Sequence, residues 1–324
     1  MTAAFAPTAL APANFTPARL IANQSIRFVL RERTVALLAV MFVVLVLISA
    51  WLGWQATATV NRIYLDAAAF LQTSGQPVPT NPVLDISPLS LMRNMSVYVS
   101  LIGALAAIVI GNRLVTLDRK AGVLPLIGSR PLTATAYARG KIGALAVVIL
   151  GLSVIAGLVS VLTFALLPAI SVTAAQWLQL SGFFGLSALY MMIFGLTGLA
   201  AGGIARSESV GLLVPVTIWL TLTFILPQLT GNLNPTAAIN PVTALAAPPD
   251  TAFFHATGQF LGSVSLADAY KFSAARMLDL LPAGVTSPAL IPPFAVLLFV
   301  TAATLTLTWR ALTAMRMAQG DYNV

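Results

Sequence analysis

The 324-residue sequence has no cysteine, a single histidine and few charged residues. The absence of cysteine excludes disulfides, thiolate nucleophiles and zinc or iron–sulfur sites built from cysteine. The single histidine, His255, excludes a histidine cluster that could hold a metal. Charged residues make up 8% of the chain, whereas a soluble domain has about 25%, so a water-soluble globule is excluded.

Apolar residues are correspondingly frequent: the hydrophobic content is 58% and the mean hydropathy is +0.92. In lipid the backbone must satisfy its own hydrogen bonds, so apolar runs of about 20 residues cross the membrane as helices. The sequence predicts an all-α, polytopic integral membrane protein. Its six transmembrane helices are expected at residues 35–54, 92–114, 142–167, 180–204, 210–227 and 289–309. Residues 16–324 then form a single transmembrane domain, and residues 1–15 a disordered tail.

The placement of the basic residues predicts the orientation in the membrane. The excess of 17 Lys and Arg over 9 Asp and Glu favours either nucleic-acid binding or the cytoplasmic loops of a membrane protein. If the N-terminus is cytoplasmic, only Arg62, Arg93, Lys271 and Arg276 lie outside. The positive-inside rule therefore predicts that both termini are cytoplasmic, and no nucleic-acid partner is expected.

A separate helix is predicted before the first span. Thr16 and Pro17 suit its N-cap and first residue. Arg27 and Arg31 lie on one side of it, opposite an apolar side made of Ile21, Ala22, Phe28 and Val29. This pattern is typical of a helix in the membrane interface, whose arginines Arg27 and Arg31 reach lipid phosphates. The alternative is a simple helical extension of the first span.

Two external loops are expected, at roughly 55–91 and 228–288. The second contains an amphipathic helical pattern before the last span. Its apolar face is formed by Leu266, Tyr270, Ala274, Met277 and Leu281, opposite Asp268, Lys271 and Asp279. This helix could rest on the membrane, cover a pathway or receive a partner, but packing on the bundle is the interpretation that we favour.

Small residues recur at helical spacing in two spans. They are Ser96, Ser100, Gly103, Ala107 and Gly111 in the second span, and Gly198 and Gly202 in the fourth. Such residues allow close approach of two helix backbones. They indicate either packing within the chain, which is the commoner case, or a dimer interface or gate.

Ionisable residues are missing from the middle of the predicted spans; Arg93, Arg113, Lys141 and Arg310 lie at span ends. Because ion-driven carriers, membrane proteases and metalloenzymes need such groups inside the membrane, these classes are disfavoured. Gly140-Lys141 is followed by Ile142 and lacks the preceding glycine of a Walker motif. ATP, if it is used, must bind to another subunit.

The loop after the second span combines charge with its own apolar residues. It contains Asp118-Arg119-Lys120, Gly122-Val123-Leu124, Leu126-Ile127, Arg130-Pro131 and Arg139-Gly140-Lys141. It could be an inert basic loop, or it could form a short helix across the cytoplasmic mouth that ends near Pro131.

These residues, with the six-span plan, resemble permeases of the type-two ABC exporter class. In that family the loop has a charged stretch, then Gly-Thr-Leu, further leucines, a proline and a Gly-Lys that opens the third span. It forms the coupling helix that docks on the ATPase. The resemblance implies an ATPase-coupling role for Asp118, Arg119, Gly122, Val123, Leu124, Arg130 and Pro131. Val123 stands where the family usually has threonine.

The resemblance implies a permease subunit of an ATP-driven transporter in a bacterial inner membrane. It implies a homodimer, or one copy paired with a related partner, and a separate cytoplasmic ATPase, which binds the ATP and magnesium. It implies no catalytic residue, metal or cofactor in this chain. The chain also looks similar to permeases that serve the maturation of periplasmic enzymes, such as the copper-dependent nitrous oxide reductase system. That subgroup implies a periplasmic partner.

Other classes of function remain open from the sequence. The chain could be a structural or assembly subunit of a membrane complex without transport activity, or a passive channel or carrier. A membrane enzyme is the least favoured class, because its candidate groups, His255, Asp250 and Asp268, have no recognisable spacing.

Overall fold

A computed structural model describes residues 16–81, 87–120, 133–166, 172–229, 252–281, 287 and 289–315 of the chain. These residues form helices and connecting turns, with no strand among them. Six of the helices are long and apolar enough to cross a membrane. The prediction of an all-α, polytopic membrane protein with six transmembrane helices is confirmed. The predicted tail at residues 1–15 lies outside the described residues.

The first two helices, α1 and α2, are separated by one extended residue. Helix α1 spans Pro17–Arg31 and has Thr16 at its N-cap position, as predicted. Glu32 follows with φ −78° and ψ 123°, and α2 spans Arg33–Thr73. A Glu32 carboxylate oxygen accepts a hydrogen bond from the Val35 amide at 3.2 Å, which caps the start of α2. Helix α1 is therefore a distinct element and not an extension of the first span.

Helix α1 buries a narrow face against the bundle. Ile21, Ser25 and Val29, at four-residue steps, are buried, whereas Phe28 is 49% exposed. On the buried face, α1 comes so close to the bundle that a Cβ atom at Gly140 would overlap the Ile21 side chain. Contact of the apolar residue Phe28 with the acyl boundary stays a prediction.

Helix α2 is much longer than its predicted span. Its 41 residues extend over about 60 Å at 1.5 Å per residue, roughly twice the thickness of a hydrocarbon core. The prediction that residues 55–91 form a loop is wrong up to Thr73. The stretch from Gln55 to Thr73 has no proline or glycine and several alanines, so helix propensity continues after the hydropathy falls.

The remaining helices follow in chain order. Helix α3 begins with Met95–Tyr98, passes through a π-helical turn at Val99–Gly103 and continues over Ala104–Lys120, after a 3₁₀ turn at Pro88–Met92. Helices α4 and α5 span Ala134–Leu166 and Ala174–Ile204. Helix α6 comprises Glu208–Leu220, a π-helical turn at Thr221–Ile225 and Leu226–Leu229. Helices α7, α8 and α9 span Ala252–Phe260, Leu266–Met277 and Pro293–Thr313.

Helices α3 and α5 form the close-packed centre of the bundle. A Cβ atom at Gly111 would overlap the carbonyl oxygen of Gly195, and one at Gly198 would overlap the carbonyl oxygen of Ile108. The α3 and α5 backbones therefore touch at Gly111 and at Gly198. The interpretation of these glycines as packing residues within the chain is confirmed.

Helix α8, the predicted amphipathic helix, packs on the bundle as we expected. Leu266, Tyr270 and Ala274 are buried. The Tyr270 ring stacks on Tyr190 of α5 at 4.3 Å between centroids, and its hydroxyl lies 2.9 Å from the Ser187 hydroxyl. These contacts join α8 to the centre of α5.

We predict that Gly198→Ala destabilises the protein by about 1–3 kcal/mol, because the added methyl group meets the Ile108 backbone, which cannot move like a side chain. The measurement is the apparent melting temperature in mild detergent. Gly151→Ala is the matched control, since its Cβ atom would meet nothing within 4 Å. Equal melting temperatures for the two variants would contradict the close α3–α5 contact.

Candidate functional site

The basic end of the bundle is the end at which α3 stops at Lys120 and α4 starts at Ala134. Helix α1, the start of α2, the end of α5, the start of α6 and the end of α9 lie at the same end. The basic side chains that the structure describes there are Arg19, Arg27, Arg31, Arg33, Arg113, Arg119, Arg139, Lys141, Arg206 and Arg310. Residues 121–132, which join α3 to α4, lie outside the described residues.

A buried ion pair joins α3 to α4 directly beside this connection. The Lys141 ammonium nitrogen lies 2.6 Å from a carboxylate oxygen of Asp118, and the two residues are 2% and 9% exposed. The Tyr137 hydroxyl donates to the same oxygen at 2.9 Å. Lys141 also donates to the Leu114 carbonyl at 2.6 Å and to the Ser25 hydroxyl at 2.9 Å. The ammonium group thus has three acceptors, as many as it has hydrogens.

Helical spacing explains how the sequence assembles this ion pair. Leu114 and Asp118 are four residues apart on α3, and Tyr137 and Lys141 are four residues apart on α4. Residues at this spacing share one helix face, so each helix presents two groups to the other. Ser25 comes from the buried stripe of α1. The cluster therefore ties three helices together at the base of the 121–132 connection.

A second ionic cluster centres on Arg113 of α3. Its guanidinium group lies 2.5 Å from a carboxylate oxygen of Glu208, at the start of α6, and 3.5 Å from one of Glu32, between α1 and α2. All three side chains are partly exposed, so solvent screens the attraction and the contribution to stability is small. The cluster mainly sets where α2 and α6 begin relative to α3.

Arg119 joins α3 to the end of α5. Its guanidinium group donates to the carbonyl oxygen of Ala205 at 2.8 Å and to that of Gly203. The last carbonyl groups of a helix have no partner within the helix and carry partial negative charge, so a cation satisfies both needs. Arg119 thereby caps α5.

The residues predicted for ATPase coupling are thus placed in two groups. Asp118 and Arg119 are described, and both side chains bind to other helices of the same chain. The other five lie outside the described residues: Gly122, Val123, Leu124, Arg130 and Pro131. A coupling role for all seven stays a prediction. The sequence did not reveal that Asp118 pairs with Lys141 and Tyr137, for which the four-residue spacing of Tyr137 and Lys141 was the available signal, or that Lys141 donates to Ser25.

The predicted membrane-interface residues, Arg27 and Arg31, lie on the exposed side of α1. They border a shallow depression together with Leu20, Asn23 and Phe28. An exposed surface that combines arginine with large apolar side chains is typical of a helix at the lipid headgroups. Contact of Arg27 and Arg31 with lipid stays a prediction.

The opposite end of the bundle has a cavity of about 240 Å³ between α7, α8 and α9, lined in part by Asp268, Lys271 and Phe272. Burial lowers the pKa of Lys271, and the nearby charge of Asp268 opposes this shift. His255 belongs to α7, but its side chain, like all of Asp250, lies outside the described residues. The described part of the chain contains no group of three acidic or histidine side chains that could hold a metal.

The fold defines a multi-pass helical membrane protein whose charged residues concentrate in clusters at one end. No model of a known protein family matches the chain, and no curated protein matches it significantly.

We predict that Lys141→Met destabilises the protein by about 3–5 kcal/mol, because it leaves the buried Asp118 carboxylate without its cation. The double variant Asp118→Asn and Lys141→Met should regain much of this loss, since no charge is then left unpaired. The measurement is the apparent melting temperature of the single and double variants.

Arg206→Met is the control for removal of one positive charge, because Arg206 is exposed. We expect a change within about 0.5 kcal/mol for it. The structural role of the ion pair would be contradicted if Lys141→Met behaved like Arg206→Met.

Proposed function

We propose that this chain is the membrane-spanning permease subunit of an ATP-driven transporter, whose separate ATPase docks on the 115–140 loop and in particular on its 121–132 segment. The observation that carries the proposal is the set of polar clusters around the two ends of that segment. Asp118 and Arg119 precede it, Tyr137 and Lys141 follow it, and all four side chains hold other helices. A force applied to the segment would therefore be transmitted to the helices of the bundle through these side-chain contacts.

The clusters distribute such a force over most of the bundle. Lys141 and Asp118 would carry it into α1, α3 and α4. Arg119 would carry it to the end of α5, and Arg113 to the starts of α2 and α6. Because α3 and α5 touch along their glycines, these two helices would move as one body. Closure of the ATPase would then tilt the helices and open or close a pathway.

We assign the energy source to a partner because the sequence has no motif that would bind ATP and no group that would couple transport to an ion. The sequence has no Walker motif and no ionisable residue in the middle of a predicted span. ATP and magnesium belong to the partner ATPase in this proposal, and no residue of this chain is catalytic. The basic end faces the cytoplasm, with both termini inside, as the positive-inside rule predicts. The chain lies in a bacterial inner membrane, as the resemblance to the exporter permeases implies.

A second copy of the chain completes the transporter, and the outer half of α2 offers a surface for it. Ala56, Val60, Ile63, Ala67 and Phe70 follow one another at steps of four, three, four and three residues, and all are exposed. This is the spacing of a coiled-coil seam. The length of α2 carries the stripe beyond the hydrocarbon core, where lipid cannot cover it. A periplasmic partner, which the enzyme-maturation subgroup would require, could bind near the same outer surface.

The sequence has no cysteine, so a single introduced cysteine reports the α2 contact cleanly. We predict that Ile63→Cys forms a disulfide between two copies in membranes under mild oxidation, because the stripe lies at the two-fold contact. Leu65→Cys is the control, since Leu65 is also exposed but lies on another side of α2. Equal cross-linking at both positions, or none at Ile63→Cys, would contradict this assignment.

The docking of the ATPase is tested by Leu124→Asp. A charge placed in an apolar docking face opposes burial, so we expect the tagged variant to retain about tenfold less P-loop ATPase than the wild type during purification from its native membrane. The measurement is quantitative mass spectrometry of the purified complex. Val264→Asp is the control, because Val264 is an exposed apolar residue just before α8.

Three results would count against the proposal. Equal loss of ATPase in both variants would show a general folding defect and no specific docking. Wild-type preparations without any ATPase would favour a structural or assembly subunit. Substrate flux without ATP in reconstituted vesicles would favour a channel or passive carrier.

A further inference from the structure

A lateral groove lies between α4 and α9 at the basic end. Its volume is about 600 Å³, and its walls are almost entirely apolar, with Ile142, Gly143, Leu305 and Trp309 among them. Both helices belong to the six that can cross the membrane, and the neighbouring Val147, Leu150 and Leu307 are exposed. The groove therefore opens toward the lipid.

Two arginines stand at this groove, Arg139 from α4 and Arg310 from α9. The Arg139 guanidinium group lies over the Trp309 ring, 5.9 Å from its centroid. Both arginines are exposed, and neither has a carboxylate within ion-pair distance among the described residues. They differ in this from Arg113 and Lys141, whose charges are matched by acidic residues of the same chain.

This combination of groups selects a ligand with two parts. Hydrocarbon cannot satisfy a guanidinium group, whereas a phosphate oxygen accepts its hydrogen bonds well. A free phosphate would satisfy the arginines but would leave the apolar walls uncovered. An acyl chain would cover the walls but would leave the arginines unpaired.

We infer that the groove binds one anionic phospholipid per chain. Its phosphate lies between Arg139 and Arg310, and an acyl chain follows Ile142, Gly143 and Leu305. Basic recesses between transmembrane helices near a membrane surface bind acidic lipid headgroups in this way. The inference does not depend on the ATPase or on the permease proposal, because it uses only the groove and its charges.

The test compares two lipids with identical acyl chains, phosphatidylglycerol and phosphatidylcholine, added to the delipidated full-length chain in mild detergent. Native mass spectrometry counts the bound lipids, and the apparent melting temperature reports their effect on stability. We expect one tightly bound phosphatidylglycerol per chain. The double variant Arg139→Gln and Arg310→Gln should bind phosphatidylglycerol at least about tenfold more weakly, with phosphatidylcholine binding unchanged.

Gly143→Leu tests the groove while leaving both arginines in place. A side chain there fills open space, since a Cβ atom at Gly143 would meet nothing within 4 Å, so the variant should fold and bind the lipid more weakly. Gly151→Leu, equally open and two turns further along α4, should bind it normally. Arg33→Gln with Arg206→Gln removes the same charge from two exposed positions that do not line the groove, and should also leave this lipid in place.

Several outcomes would overturn the inference. One is unchanged phosphatidylglycerol binding in the Arg139 and Arg310 double variant, and another is an equal loss in the Arg33 and Arg206 double variant. Displacement of the lipid by millimolar inorganic phosphate would identify a site for a free anion. Loss of a copurifying cytoplasmic protein in the Arg139 and Arg310 double variant, with lipid binding intact, would show that these arginines bind a protein.

Discussion

A lysine ammonium group buried at the end of a membrane-spanning helix is costly unless its acceptors are already in place. In this protein Asp118, Ser25 and the Leu114 carbonyl supply those acceptors, and they come from two other helices. The position of Lys141 therefore determines how α1, α3 and α4 meet. Arg113 and Arg119 attach α2, α5 and α6 to the same end. The way in which α1, α3 and α4 meet at the basic end thus depends on satisfying one buried charge.

Two kinds of contact stabilise different parts of the bundle. In the middle, glycine allows the α3 and α5 backbones to touch, and dispersion forces act over a large area. At the basic end, directional ion pairs and hydrogen bonds fix the helix ends. The helices are thus linked to one another both in the middle of the bundle and at the basic end. The proposed mechanism, in which a partner moves the bundle from its basic end, requires such links. Arg139 and Arg310, which have no acidic partner within ion-pair distance among the described residues, stand at the apolar groove between α4 and α9.

The fold was predictable in outline because each span is a long apolar run, and that property belongs to local sequence. The end of α2 at Thr73 was not predictable from hydropathy, which falls after Trp54 while helix propensity continues. The candidate site was predictable only as a basic loop between two spans. Its internal partners were not, since Ser25 and Lys141 are far apart in the sequence and no local spacing reports their contact. The set of α1 residues that face the bundle was not predictable for the same reason, because the surface that α1 packs against determines which of them are buried.

We propose that two copies of this chain form a transporter that a separate ATPase drives. The most direct measurement is the mass and composition of the intact complex released from the native membrane in mild detergent. The account predicts two copies of this chain with two copies of a P-loop ATPase. A stable complex that contains this chain without any ATPase would contradict it.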